Sequence, residues 1–150
     1  MTEDANPLLR IENLRIALPA HADRPFAVED VSLTLARNEI LCVVGESGSG
    51  KSVMSRAVMG LYTSRHVRPV GGRIVFDGED LLQAAPERLR ELRGNRIAMI
   101  FQEPMTALNP VLRIGAQIAE VLEIHQGGDA AARRQRTLEL LEAVKLPDPA

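Results

Sequence analysis

The run Gly45-Glu-Ser-Gly-Ser-Gly-Lys-Ser52 constrains this chain more than any other stretch. Three glycines and three serines in eight residues favour a tight loop over a regular helix or strand. Before the loop comes a continuous apolar run, Ile40-Leu-Cys-Val-Val44, as expected of a strand covered on both faces. After it the period changes: Val53, Ala57 and Leu61 repeat every four residues, with Met54 and Val58 on the same face, which predicts an amphipathic helix over 51–61. Buried strand, glycine loop and helix in that order specify a chain that mixes α and β structure.

The loop fits G-x-x-x-x-G-K-[ST] at each fixed position. Phosphates are dense negative charge. A loop that holds them turns backbone N–H groups inward, and glycine allows both the dihedrals and the close approach. The helix that follows aims its positive end at the anion. Candidate binding residues are therefore Gly45, Glu46, Ser47, Gly48, Ser49, Gly50, Lys51, Ser52 and Val53. Lys51 supplies a point charge for the β and γ phosphates, and Ser52 a hydroxyl for Mg²⁺, which prefers hard oxygen ligands. Lysine is otherwise scarce: only Lys145 joins Lys51, and arginine carries the remaining positive charge. The motif alone leaves kinases, GTPases, motor ATPases and transporter ATPases open.

Composition removes other classes. Hydrophobic residues make up 45% and charged residues 25% of the 150, enough for a core. A net charge of -2 gives no reason to expect nucleic acid as a partner. The single Cys42 has no disulfide partner and reads as a buried, unreactive thiol. No apolar run approaches the roughly 18 residues that cross a bilayer. The polar, acidic residues 1–7 do not resemble a secretory signal.

Along the chain, Leu14, Ile16 and Leu18 alternate with other residues, as do Val31, Leu33 and Leu35, which predicts two strands joined by a polar loop around 20–24. Residues 72–76 read as a strand closed by the Asp77-Gly78 turn. Residues 86–93 read as a short helix with Pro86 in its first turn and Gly94 at its end. Ile97-Ala-Met-Ile-Phe101 reads as a second buried strand, running into a segment that holds Pro104 and Pro110. A helical stripe over Ile114, Ile118, Val121 and Leu122 ends at Gly127-Gly128. Asp129 is placed to cap a last helix carrying Leu138, Leu141 and Val144. His21, His66 and His125 lack metal-ligand spacing and read as surface residues.

A phosphate-loop protein also needs an acidic Mg²⁺ ligand, often an Asp at the end of an apolar strand. Ile74-Val-Phe-Asp77 is one candidate, and would suit a soluble phosphate-loop kinase or GTPase. The turn dipeptide Asp77-Gly78 favours a hairpin instead. The other strand end is more specific. Phe101-Gln-Glu-Pro-Met-Thr-Ala-Leu-Asn-Pro110 closely resembles the Q-loop region of ATP-binding-cassette (ABC) transporter subunits, above all those of bacterial dipeptide, oligopeptide, glutathione and nickel importers. Lys-Ser-Val53 after the glycine loop, Val31-Ser-Leu33, Ala98 to Gln102, His125 to Gly128 and the run 133–149 agree with that group.

The resemblance implies an α/β fold of the P-loop NTPase (ABC-ATPase) type, with an N-terminal antiparallel β subdomain and the start of a helical subdomain. Residues 1–113 would form the first part of the nucleotide-binding domain and 114–150 the beginning of the helical subdomain. ATP would be wrapped by residues 45–53. Ser52 and Gln102 would complete the Mg²⁺ shell, with Gln102 sensing the γ-phosphate and the attacking water. Phe26 is the candidate for stacking on adenine. Residues 103–110, from Glu103 to Pro110, would meet the membrane permease subunits. A second ATPase subunit would complete the cassette dimer, and a periplasmic solute-binding protein would act indirectly. The expected location is the cytoplasmic face of the bacterial inner membrane, and the expected solute class is di- and oligopeptides.

Such ATPases also need a Leu-Ser-Gly-Gly-Gln-like signature, a strand ending in Asp-Glu whose Glu is the general base, and a switch histidine. None occurs up to Ala150. The chain is therefore expected to be the N-terminal part of a longer polypeptide, to bind nucleotide without turning it over, and to be poorly stable alone.

Overall fold

The computed structural model describes residues 6–103 and 108–146. Eight elements follow one another among them: β1 (Leu9–Ala17), β2 (Phe26–Leu35), α1 (Lys51–Val58), β3 (Pro69–Phe76), β4 (Glu79–Asp80), α2 (Pro86–Leu92), α3 (Ile114–Gln126) and α4 (Ala130–Ala143). They fall into two compact units, Met1–Arg93 and Gly94–Ala150.

The first unit is built on an antiparallel sheet of order β2-β1-β3-β4. Its three long strands do not keep a simple two-residue alternation. Asn13 in β1 (φ 46°), Asp30 in β2 (φ 53°) and Gly72 in β3 (φ 87°) all have left-handed backbones, and pairing shifts register beside each of them. The Asn13 amide N–H donates to the Ser32 hydroxyl at 2.8 Å and its side chain to Asp30 Oδ1 at 3.0 Å. A β-carbon at Gly72 would stand 2.5 Å from the carbonyl oxygens of Glu12 and Asn13, so only glycine lets β3 pass this bulge. The slip carries Ile11, Leu14 and Ile16, rather than residues of one parity, into the core. Ile74, Val75 and Phe76 join them from β3, and Met54 and Ala57 from α1 are also buried.

The hairpin reading of Asp77-Gly78 is correct. Both residues have positive φ, and the pairs Phe76–Glu79 and Val75–Asp80 leave a two-residue loop. The helix predicted over 51–61 is shorter, ending at Val58. Gly60 (φ 61°) turns the chain away, and Arg93 closes the helix end by donating to the carbonyls of Met59 (2.7 Å) and Gly60 (3.0 Å). Helix α2 starts at Pro86, with the proline in its first turn as expected.

Two strand expectations fail. Residues 40–44 carry no strand, and Ile40 and Val44 are 96% and 84% exposed. Cys42, expected to be buried, is exposed with them. Residues 97–101 likewise form no named strand, with Ile100 94% exposed. A strand exists through its ladder, and among the described residues the sheet offers these runs no partner.

In the second unit, α3 and α4 form an antiparallel hairpin joined by Gly127 and Gly128, both with positive φ. Asp129 caps α4 as expected, its carboxylate accepting from the Ala132 N–H at 2.7 Å. His125 is not a free surface residue: a β-carbon at Gly94 would lie 2.5 Å from its Nε2.

Candidate nucleotide-binding site

Residues 45–50 form an irregular loop that enters α1 at Lys51. The entry depends on Gly50. Its φ of 94° is one that a side chain resists, and a β-carbon there would stand 2.2 Å from the Ala27 carbonyl oxygen and 3.1 Å from Val28 Cγ2. The start of β2 thus lies hard against the loop's last turn. The Met54 N–H donates to the Gly50 carbonyl at 2.9 Å, the first rung of the helical ladder. The N–H groups of Lys51, Ser52 and Val53 therefore lie before that ladder, at the positive end of α1.

Inside the loop, the Lys51 ammonium donates to the carbonyls of Gly45 and Glu46 at 2.7 Å each and to the Ser49 hydroxyl at 3.2 Å. The Ser49 N–H shares the Glu46 carbonyl at 3.2 Å. The loop is therefore curled around its cation, with the ammonium and the Ser49 N–H meeting on the Glu46 carbonyl. A chain of phosphate oxygens offers the same donors stronger acceptors than carbonyls. The donor set fits such a group. Ser52, exposed in the first helical turn, presents a hard oxygen suited to Mg²⁺ beside it.

The other candidates stand as follows. Phe26 is half-buried at the first position of β2, paired with Ala17. An open cleft beside it runs between residues 18 and 21–24 on one wall and 46–49 on the other, and Phe26 does not line it. Gln102 and Glu103 sit in an exposed bend of the second unit. Residues 104–107, the centre of the expected permease-facing segment, lie outside the described residues, and Leu108 to Pro110 are exposed.

Asp77 does not belong to the site. It follows Phe76, which pairs with Leu9 at one end of β1, whereas the loop packs on Ala27 and Val28, beside Ile16 and Ala17 at the other end. Eight strand residues separate these ends by about 25 Å. The Asp77 carboxylate instead pairs with Arg37.

Sequence reasoning missed two contacts. Arg24, on the loop between β1 and β2, donates from Nη2 to the Gly48 carbonyl. Gln117 of α3 accepts from the Asn109 N–H (2.9 Å) and donates to the carbonyls of Asn109 (3.0 Å) and Leu112 (3.1 Å), tying the segment before α3 to that helix. Neither has a local signature, because each links positions brought together only by folding.

The family model described as ABC transporter matches residues 28–150. A peptide import ATP-binding protein of Brucella abortus (strain 2308) is 46% identical over 144 residues, 96% of this chain and 43% of that protein. The dipeptide transport ATP-binding protein DppD of Escherichia coli (strain K12) is 43% identical over 144 residues, 95% of this chain and 43% of DppD. The chain thus spans less than half the length of these two relatives. Among solved structures, the dimeric bacterial ABC transporter cassette MJ0796 superposes with a TM-score of 0.78 at 24% identity, covering 93% of this chain and 58% of that one.

Proposed function

This chain belongs to the ABC transporter family, and from that premise we propose that it is the nucleotide-binding first part of the ATPase subunit of a peptide importer. The observation that carries the proposal is the loop of residues 45–52, curled around the Lys51 ammonium at the positive end of α1 and seated on β2. The names of the relatives supply the solute class, peptides, and the direction, import.

On this reading ATP binds with its phosphates along residues 45–53. Lys51 exchanges its two carbonyl partners for phosphate oxygens. The N–H groups of 51–53 complete the oxyanion cradle. Mg²⁺, when bound, neutralises phosphate charge, and Ser52 and Gln102 are the residues that would hold it. Gln102 is proposed as the γ-phosphate sensor and Phe26 as the adenine contact. The Q-loop segment 103–110 is the proposed permease contact, with a second ATPase subunit facing the bound nucleotide. A periplasmic solute-binding protein would act through the permease. The protein would work at the cytoplasmic face of the inner membrane. The proposed domain division is 1–113 and 114–150. A kinase or GTPase reading has lost its premise, because Asp77 sits at the far end of the sheet.

Competition against a fluorescent ATP analogue tests the proposal. Displacement in the order ATP, then ADP, then adenosine, with adenosine far weaker, is expected of phosphate recognition. Equal displacement by adenosine and ATP would refute it. The 150-residue chain itself is expected to release no phosphate from bound ATP, since no general-base glutamate of the Asp-Glu type occurs in its sequence.

A further inference from the structure

The geometry points to Arg24 as a positioning residue of the phosphate loop, one that holds the outer edge of the Gly48–Ser49 peptide so that the loop's donors face inward. The inference rests on the nucleotide-binding reading above. Arg24 comes off a fixed stem. The Leu18 N–H donates to the Pro25 carbonyl at 2.8 Å, closing the loop at its base, and the Ala22 N–H donates to the Pro19 carbonyl at 2.9 Å. Pro25 restricts Arg24 to extended backbone. From this stem the guanidinium reaches the Gly48 carbonyl across 24 positions of sequence.

No neighbour is wedged against Gly48 as one is against Gly50. A β-carbon built on Gly48 would meet nothing within 4 Å, whereas two residues later Gly50 is wedged against Ala27 and Val28. The loop is therefore held at Gly50 by contact and at Gly48 by the arginine. The consequence follows from the planar trans peptide, in which carbonyl and N–H point opposite ways. With the Gly48 carbonyl bound outside, the Ser49 N–H is directed inward, where it meets the Glu46 carbonyl that also accepts from Lys51. Arg24 on the outside and Lys51 on the inside thus set the two faces of one loop.

The test is binding of ATP and of inorganic tripolyphosphate to the intact chain, wild type and variant. Arg24→Ala and Arg24→Met are expected to weaken both ligands by the same factor, about fivefold for one lost hydrogen bond. Arg24→Lys, which keeps a charged donor, is expected to recover most of the loss. Amide exchange at 46–50 is expected to speed up in Arg24→Ala while β1 and β3 are unchanged, a pattern that general destabilisation would not give. A loss for ATP with none for tripolyphosphate would overturn the inference and make Arg24 a nucleoside contact. No loss for either, while Lys51→Ala binds poorly, would overturn it and leave the nucleotide reading standing. Unchanged binding in Lys51→Ala would overturn both.

Discussion

Gly48 and Gly50 occupy the same motif and have similar backbone angles, with φ of 81° and 94°, yet their surroundings differ. Gly48→Ala meets open space and bears only the cost of a left-handed residue, about 1–2 kcal/mol. Gly50→Ala adds a carbon 2.2 Å from the Ala27 oxygen and must move β2 or the loop, so about 2–4 kcal/mol is expected. Urea titration of the two variants checks the order, and equal midpoints would contradict it. The candidate binding residues stand out in the sequence because phosphate chemistry dictates residue type at fixed spacing: glycines for the backbone, a lysine for charge, a serine for a metal. Arg24 was not legible. An arginine in a polar loop has no feature that distinguishes it until folding brings Gly48 beside it.

At the scale of elements, local signals hold where one or two residues decide the conformation. The Asp77-Gly78 turn, Pro86 in the first turn of α2 and the Asp129 cap are of this kind. The bulge through Asn13, Asp30 and Gly72 is different, because it is made by three strands together and no one of them announces it. Gly72→Ala is expected to cost about 3 kcal/mol or more by driving β3 from the carbonyls of β1, seen as a lowered melting temperature. The continuous apolar runs 40–44 and 97–101 predict buried strands, but such a run reports what a segment can bury and not whether a partner stands beside it. In this chain the first run carries no named strand and is exposed. Cys42 is therefore expected to react with a thiol reagent in native buffer as fast as in denaturant. Protection of Cys42 by tenfold or more would show that the run is covered.

The whole molecule combines a well-formed antiparallel sheet with much uncovered apolar surface. Ile40, Val44, Ile100 and Val111 are each at least 84% exposed. Surface of this kind favours self-association, and the chain is expected to bind a hydrophobic dye and to aggregate as concentration rises. A monomeric, dye-silent chain with a sharp melt would speak against that. The curated relatives are more than twice as long as the segment matched here. The central claim, that residues 45–52 hold nucleotide phosphates around Lys51, is most directly tested by the affinity of the intact chain for ATP against that of Lys51→Ala. The account predicts a loss of about 10–100-fold, the value of a charged hydrogen-bonding partner, with the melting temperature little changed. Equal affinity in a folded variant would contradict it.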